Sequence, residues 1–258
     1  MNRINELFNR KNGQVLSVYF TAGFPRRNST QQIITTLAAA GADMIEIGIP
    51  FSDPVADGPV IQHSNHTALQ NGMSLMLLLK QVKEVRSTTD VPLLLMGYLN
   101  PVLQYGLERF CRDAADSGVD GLILPDLPLD EYEEIYAPLF LRYGLKHVFL
   151  ITPQTTEQRI RYIDQLSDAF IYMVTANATT GGQLVWSSEQ LQYFSNVQQL
   201  ELKNPLLGGF GISDAAGFKT VCSHLNGAVI GSSFIRVLGI AGDNVETTIH
   251  EFIKQVRS

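Results

Sequence analysis

The chain has 258 residues, of which 45% are hydrophobic and 17% charged, and its formal net charge is −6. That is enough apolar material for a large core, and it excludes an intrinsically disordered chain. The acidic balance argues against nucleic acid or an anionic membrane surface as the main partner, because both select basic surfaces.

In chain order, Met1 to Lys11 mixes polar and charged residues with Ile4, Leu7 and Phe8. It lacks the apolar region of a signal peptide and reads as a cap helix over Ile4–Arg10. No apolar run approaches the roughly 18 residues of a membrane span, so the expectation is a cytoplasmic protein. Short, nearly continuous apolar runs follow at Val15–Ala22, Met44–Ile49, Pro92–Tyr98, Gly121–Pro125, His147–Ile151, Phe170–Thr175, Leu206–Gly211 and Ala228–Gly231. Runs of this kind suit strands buried on both faces of a parallel sheet. Between them lie helical patterns at Gln31–Ala40, Ser74–Arg86, Glu108–Ser117, Leu129–Tyr143, Thr156–Leu166, Ser188–Tyr193, Asp214–His224 and Val245–Val256. Asn28-Ser29-Thr30 resembles a helix start, and Gly41, Gly118 and Gly144 act as stops. Cys111 and Cys222 fall in helical stretches and read as reduced, half-buried thiols.

Strict strand and helix alternation predicts an α/β fold with a parallel sheet. Eight units over this length predict a (β/α)₈ TIM barrel, a single domain over residues 1–258 with one extra N-terminal helix; a doubly wound open sheet is the alternative. Two connections exceed ordinary barrel turns: Pro50–Met73 after the second strand, and Ala176–Ser187 after the sixth. Both follow strand C-terminal ends, the face where barrels hold their sites.

Period-two alternation on Met44-Ile45-Glu46-Ile47-Gly48-Ile49 sends Ile45, Ile47 and Ile49 under the helices and Glu46 into the barrel. A carboxyl inside an apolar strand is costly unless it is satisfied or used. Asp53-Pro54 and Asp57-Gly58 in the next loop could be turn starts or site carboxylates. Leu207-Gly-Gly-Phe-Gly-Ile-Ser213 and Val229-Ile-Gly-Ser-Ser233 each end a strand and open a helix. Glycines followed by a serine cap expose backbone N–H groups to an anion, and two such elements after the last strands match the common barrel phosphate site. No lysine falls at a strand end where an imine would form, His63 and His66 have no evident third metal ligand, and no GxGxxG follows the first strand. Acid–base chemistry by carboxylates on a phosphorylated substrate remains.

The string Glu46-Ile-Gly-Ile-Pro-Phe-Ser-Asp-Pro-Val-Ala-Asp57-Gly-Pro-Val-Ile-Gln62 resembles the signature of tryptophan synthase α subunits. Tyr98-Leu-Asn-Pro-Val-Leu-Gln-Tyr-Gly106, Pro125-Asp-Leu-Pro128, Gly209-Phe-Gly-Ile-Ser213 and Gly231-Ser232 are similar to the family's further motifs, in family order over essentially the whole chain. The resemblance implies a lyase that splits indole-3-glycerol phosphate into indole and glyceraldehyde 3-phosphate. It implies Glu46 as general acid–base, with Asp57 accepting from the indole N–H. It further implies Gly181, Gly211, Gly231 and Ser232 as phosphate donors, with Tyr172 beside Glu46 and Tyr19 and Phe210 lining the indole pocket. An α₂β₂ heterotetramer is implied, in which pyridoxal phosphate belongs to the β subunit and this chain holds no cofactor and no metal. Docking would use Asp53–Pro59, Asn100–Gly106 and Pro128–Leu129. Ala178 and Thr179 stand where Gly and Val are commoner, while Thr180-Gly181 is kept, so Thr180 is expected to reach toward Asp57. The apolar pocket should raise the pKa of Glu46, while the more polar Asp57 stays ionised. The alternatives are a freestanding indole-producing lyase, a non-catalytic regulatory barrel, and another phosphate-binding barrel isomerase.

Overall fold

The computed structural model describes residues 2–174, 187–209 and 211–258. Its strands are β1 (Val15–Thr21), β2 (Met44–Gly48), β3 (Leu93–Met96), β4 (Gly121–Ile123), β5 (Lys146–His147), β6 (Phe149–Ile151), β7 (Ile171–Val174), β8 (Leu206–Gly209) and β9 (Gly227–Ile230). All pairings are parallel, in the order β5-β4-β3-β2-β1-β9-β8-β7-β6. The two ends of that order, β5 and β6, are halves of one run interrupted only at Val148, whose N–H still donates to Leu122 at 2.9 Å. The sheet therefore closes into a barrel of eight staves, as the alternation predicts.

The barrel's N-terminal end is held by a repeated device. The residue before a strand accepts from the first N–H groups of its neighbour: Asp43 from Leu16, Asp120 from Leu93, and Asn226 from Leu206, at 2.8–2.9 Å. Each bond satisfies a strand-start donor that has no ladder partner. The aspartates are in turn neutralised, Asp120 by Arg3 and Arg86 and Asp43 by Lys11 and Arg257. Arg3 lies on the N-terminal helix Arg3–Arg10, which buries Ile4 and Leu7 completely or nearly so. A Cβ on Gly121 would come within 2.9 Å of Ile4, so the absence of a side chain there seats the plug.

Three expected elements and the burial of one cysteine differ from the sequence reading. The connection Pro50–Met73 is not a plain loop, because residues Pro59–Gln70 form a helix. That helix packs through Ser64, Asn65 and Ala68, so it lacks the apolar stripe by which helices are recognised in sequence. Its start at Gly58-Pro59 and the Asn71-Gly72 pair after it were the legible signals. The helix expected over Leu129–Tyr143 contains a π-helical turn at Tyr132–Tyr136, directly before Ala137-Pro138. Proline lacks an N–H and its ring crowds the carbonyl four residues back, and the wider turn accommodates both. The helix expected over Ser188–Tyr193 runs on to Gln198, opened by a capping box of Ser187 and Gln190. The connection expected over Ala176–Ser187 lies outside the described residues except for Ser187. Both cysteines are free, Cys222 half-buried as expected but Cys111 fully buried.

One core residue carries a pH-dependent load. His147 is 3% exposed among Tyr132, Phe140 and Phe149, and neither ring nitrogen has a partner among the described residues. Burial lowers its pKa from 6.5 to about 3. A depressed histidine pKa means that the unfolded chain binds the proton first, so this group's contribution is intact above pH 6.5 and declines as pH falls toward 3. His147→Phe should remove that decline and raise stability by roughly 1–2 kcal/mol at pH 7, the cost of an unmet buried polar group. Urea unfolding at pH 7 and pH 5 measures both, and a variant no more stable than wild type at either pH would show that the ring is satisfied.

Candidate active site

At the C-terminal end of the staves a cavity of about 380 Å³ is lined by Tyr19, Asp57, Ile61, Met96, Leu150 and Tyr172, and closed on one side by Gly209, Gly211, Gly231 and Ser232. The sheet register builds its floor. Ser17, Tyr19 and Thr21 alternate on the inner face of β1, and they stand opposite Met44, Glu46 and Gly48 of β2. The glycines of adjacent strands make room for the tyrosines. A Cβ on Gly48 would overlap the Tyr19 hydroxyl, and one on Gly209 would overlap the Tyr172 ring and hydroxyl. The space beside Glu46 on its own strand is thus taken by Tyr19.

Glu46 is 0% exposed and does not itself line the cavity. Its Oε1 accepts from the Ser17 hydroxyl at 2.7 Å, and its Oε2 is buried with no partner among the described residues. Burial raises its pKa from 4.5 to about 7, and the Ser17 hydrogen bond pulls in the opposite direction. Tyr19 and Tyr172 lie close enough to feel its charge, and burial holds both phenols protonated.

Asp57 is half-buried above the floor. Its pKa rises from 3.8 to about 6, chiefly by burial, while the Tyr98 hydroxyl counters part of the rise. Tyr98 also accepts from the Ala56 N–H at 2.9 Å and packs its ring at a tilt against Phe51, centroids 5.4 Å apart, which fixes the loop over the cavity. Both carboxyls are raised by burial, Glu46 to about 7 and Asp57 to about 6. The difference is narrower than the sequence suggests, because the loop buries Asp57 as well. Asp53 is exposed and its carboxylate accepts from Ser52, which makes it a loop residue outside the cavity.

The two glycine-rich elements converge as predicted, but their caps differ. Asp214, not Ser213, caps the helix Ala215–Cys222 by accepting from Gly217. Ser232 is the first residue of the helix Ser232–Ile240, whose cap is Gly231 with no side-chain bond. The cap with a carboxylate points its charge into its own helix, whereas the uncapped N-terminus at Gly231 leaves its donors and positive dipole end to the cavity. Ser233 donates to Ile212 at 2.7 Å and ties the two elements together. Thr180, Gly181 and Phe210 lie outside the described residues. His63 and His66 are both exposed on the helix Pro59–Gln70.

Ser17 is absent from the residues singled out in the sequence, and Tyr98 enters there only as the first residue of the Tyr98–Gly106 motif, without a role of its own. Ser17 was legible as the first of three polar residues at every second position of an otherwise apolar strand. The contact of Tyr98 with the Asp57 loop left no local pattern, because its partner Ala56 is forty-odd residues away and meets it only in the folded barrel.

A family model described as tryptophan synthase alpha chain matches residues 6–258. The chain is 47% identical over 256 residues to the tryptophan synthase alpha chain of Flavobacterium psychrophilum, covering 99% of this chain and 100% of that one. It is 49% identical over 238 residues to that of Bacteroides thetaiotaomicron, covering 92% and 93%. Among solved structures, the tryptophan synthase alpha chain of Legionella pneumophila superposes with a TM-score of 0.88 at 32% identity, covering 100% of this chain and 96% of that one. A chain of the tryptophan synthase complex of Pyrococcus furiosus superposes at 0.85 with 31% identity, covering 95% and 98%.

The buried Glu46 has a stability signature independent of any reaction. Its folded pKa is raised, so its contribution is fully present below pH 4.5 and is lost as pH rises through about 7. A shift of this size corresponds to roughly 3 kcal/mol at most. Glu46→Gln should reduce the fall in unfolding free energy between pH 4.5 and pH 7, as read from urea titrations, leaving the part due to Asp57 below about pH 6. A variant whose curve keeps the wild-type slope would mean that Glu46 is solvated in the folded chain.

Proposed function

The chain belongs to the tryptophan synthase alpha chain family, and we propose that it cleaves indole-3-glycerol phosphate to indole and glyceraldehyde 3-phosphate as the lyase-type subunit of an α₂β₂ assembly. The observation that carries the reading is a half-buried carboxyl with a pKa near 6 in the lining of a cavity, a fully buried carboxyl with a pKa near 7 set behind the Tyr19 that lines the same cavity, and an uncapped helix N-terminus at its edge.

The geometry suits the chemistry. The phosphate rests on the backbone N–H groups of Gly211, Gly231 and Ser232, where the dipole of the helix Ser232–Ile240 favours an anion without any lysine. Gly181 and Thr180 complete the cradle and the lid in this reading, with Phe210 joining Tyr19 and Tyr172 around the indole. Protonated Glu46 delivers its proton to C3 of the ring and breaks the aromatic system. Positive charge then develops at the ring nitrogen, where ionised Asp57 accepts the N–H and stabilises it. Glu46, now ionised, takes the proton of the hydroxyl on the adjacent glycerol carbon. The carbon–carbon bond breaks, its electron pair restores the indole, and the hydroxyl carbon becomes the aldehyde. The proton count closes, and a pKa near 7 lets one group serve both steps.

Indole is apolar and would escape into water, so delivery to a partner that consumes it is the physical rationale for the assembly. The proposed docking face is the loop 53–59, residues 100–106 and residues 128–129, where Val55 is 86% and Leu103 49% exposed. Pyridoxal phosphate belongs to the β subunit in this reading. The chain as a single barrel domain is part of the same proposal, as is a cytoplasmic setting. Among the described residues no helix is long and apolar enough to cross a membrane.

Indole release by the purified chain, alone and with a tryptophan synthase β subunit, tests the proposal. Release should be slow alone and rise sharply with the partner. Glu46→Gln should abolish it and Asp57→Asn should lower it about 100-fold or more, as expected for loss of a charge aimed at the transition state. A Glu46→Gln variant retaining near-full activity would overturn the assignment. For wild type, kcat/KM should be bell-shaped with limbs near pH 6 and pH 7, set by ionisation of Asp57 and deprotonation of Glu46. Asp57→Asn should delete the acidic limb from its residual rate, and an acidic limb that survives would belong to another group.

A further inference from the structure

We propose that Ser17 is a positioning residue for Glu46, holding Oε1 so that Oε2 alone exchanges the proton with substrate. The inference rests on the acid–base role proposed above for Glu46.

Three observations carry it. Ser17 is fully buried, on the inner face of β1 between Val229 of β9 and Met44 of β2 in register. Its hydroxyl donates to Glu46 Oε1 at 2.7 Å along the diagonal of the β1–β2 ladder. The two oxygens of Glu46 are thereby made unequal, since Oε2 has no partner among the described residues. A carboxyl with two equivalent buried oxygens would spread its proton over both and could rotate. One fixed donor on Oε1 removes that freedom and puts the exchangeable proton on the other oxygen.

The Ser17 hydroxyl proton is committed to Glu46 Oε1, so Ser17 acts through Glu46 and not on substrate. A serine hydroxyl in this place also stabilises the ionised form, in agreement with its opposing effect on the burial shift. The ionised form is the one that takes the glycerol hydroxyl proton in the second step. Loss of Ser17 therefore penalises turnover more than substrate binding, and it makes Glu46 a weaker acid.

The other groups near Glu46 do not supply this function. Tyr19 stands opposite it in register, but its hydroxyl lies 3.5 Å from Thr21 and its ring occupies the space over Gly48. Thr21 is committed to Ser64 at 2.6 Å, and Ser64 donates onward to the Ile61 carbonyl at 2.8 Å. Ser64 has one proton, so Thr21 must be the donor to it, and the chain of hydroxyls runs away from Glu46.

The test is a titration of the Glu46 carboxyl by ¹³C NMR in full-length protein labelled at glutamate carboxyls, assigned by its absence in Glu46→Gln. Ser17→Ala should raise the Glu46 pKa by about one unit, a tenfold change in its ionisation, and Ser17→Thr, which keeps the hydroxyl, should return it toward wild type. In the indole-release assay Ser17→Ala should lower kcat about tenfold with KM unchanged, and the alkaline limb should move up with the titration. An unshifted Glu46 titration in Ser17→Ala overturns the proposal, whatever happens to the rate. So does a fall in kcat that Ser17→Thr fails to relieve while the titration is restored. A wild-type chain that releases no indole yet keeps the Ser17-dependent titration would sink the proposed reaction while sustaining the coupling of the two groups.

Discussion

The carboxyl of Glu46, taken out of water on the second strand, is the constraint around which the rest of the site is arranged. Moving it from solvent into the barrel disfavours its charge, and among the described residues a neighbour compensates one of its oxygens and none the other. A group in that position is poorly tolerated as mere structure. In the proposed reaction it becomes useful, because incomplete compensation leaves its pKa near neutrality, where a carboxyl both gives and takes a proton. Asp57 shows the same physics in weaker form, since it is half-buried and Tyr98 offsets part of the cost.

Precision in the floor depends on the parallel register. Tyr19 faces Glu46, Thr21 faces Gly48, and Tyr172 lies over Gly209 of the adjacent stave. A tyrosine set against a glycine on the neighbouring strand packs a large ring where a second side chain would collide with it. The N-terminal end of the barrel supplies the rigidity. There, side-chain acceptors close the strand starts, arginines and a lysine neutralise the two aspartates among them, and the N-terminal helix plugs the hole. The reactive face can then carry loops and uncapped helix ends that contribute little stability.

The acidic net charge and the anionic ligand proposed for the site are compatible because recognition is delegated to backbone. The helix at Ser232 begins on a glycine without a side-chain cap, so its first donors are free for an anion, whereas the neighbouring helix at Ala215 spends its Asp214 cap on itself. Of two similar glycine-rich motifs, one therefore offers a helix terminus and the other offers the turn at Gly211 that lines the cavity.

The sequence by itself determined the barrel, because eight buried parallel strands must be apolar on both faces and helices between them must be amphipathic, and both patterns are local. It also determined that Glu46 points inward, since strand parity is a property of adjacent residues. It underdetermined the helix Pro59–Gln70, which packs through small and polar side chains, and the π turn before Pro138, which answers a proline whose effect falls one turn earlier. Only the tertiary structure decided which oxygen of Glu46 is held, that Tyr98 reaches the Asp57 loop, and which of the two glycine-rich turns ends in an open helix. Those features depend on the register between strands and on contacts between residues far apart in the chain, and neither leaves a periodic trace in the sequence.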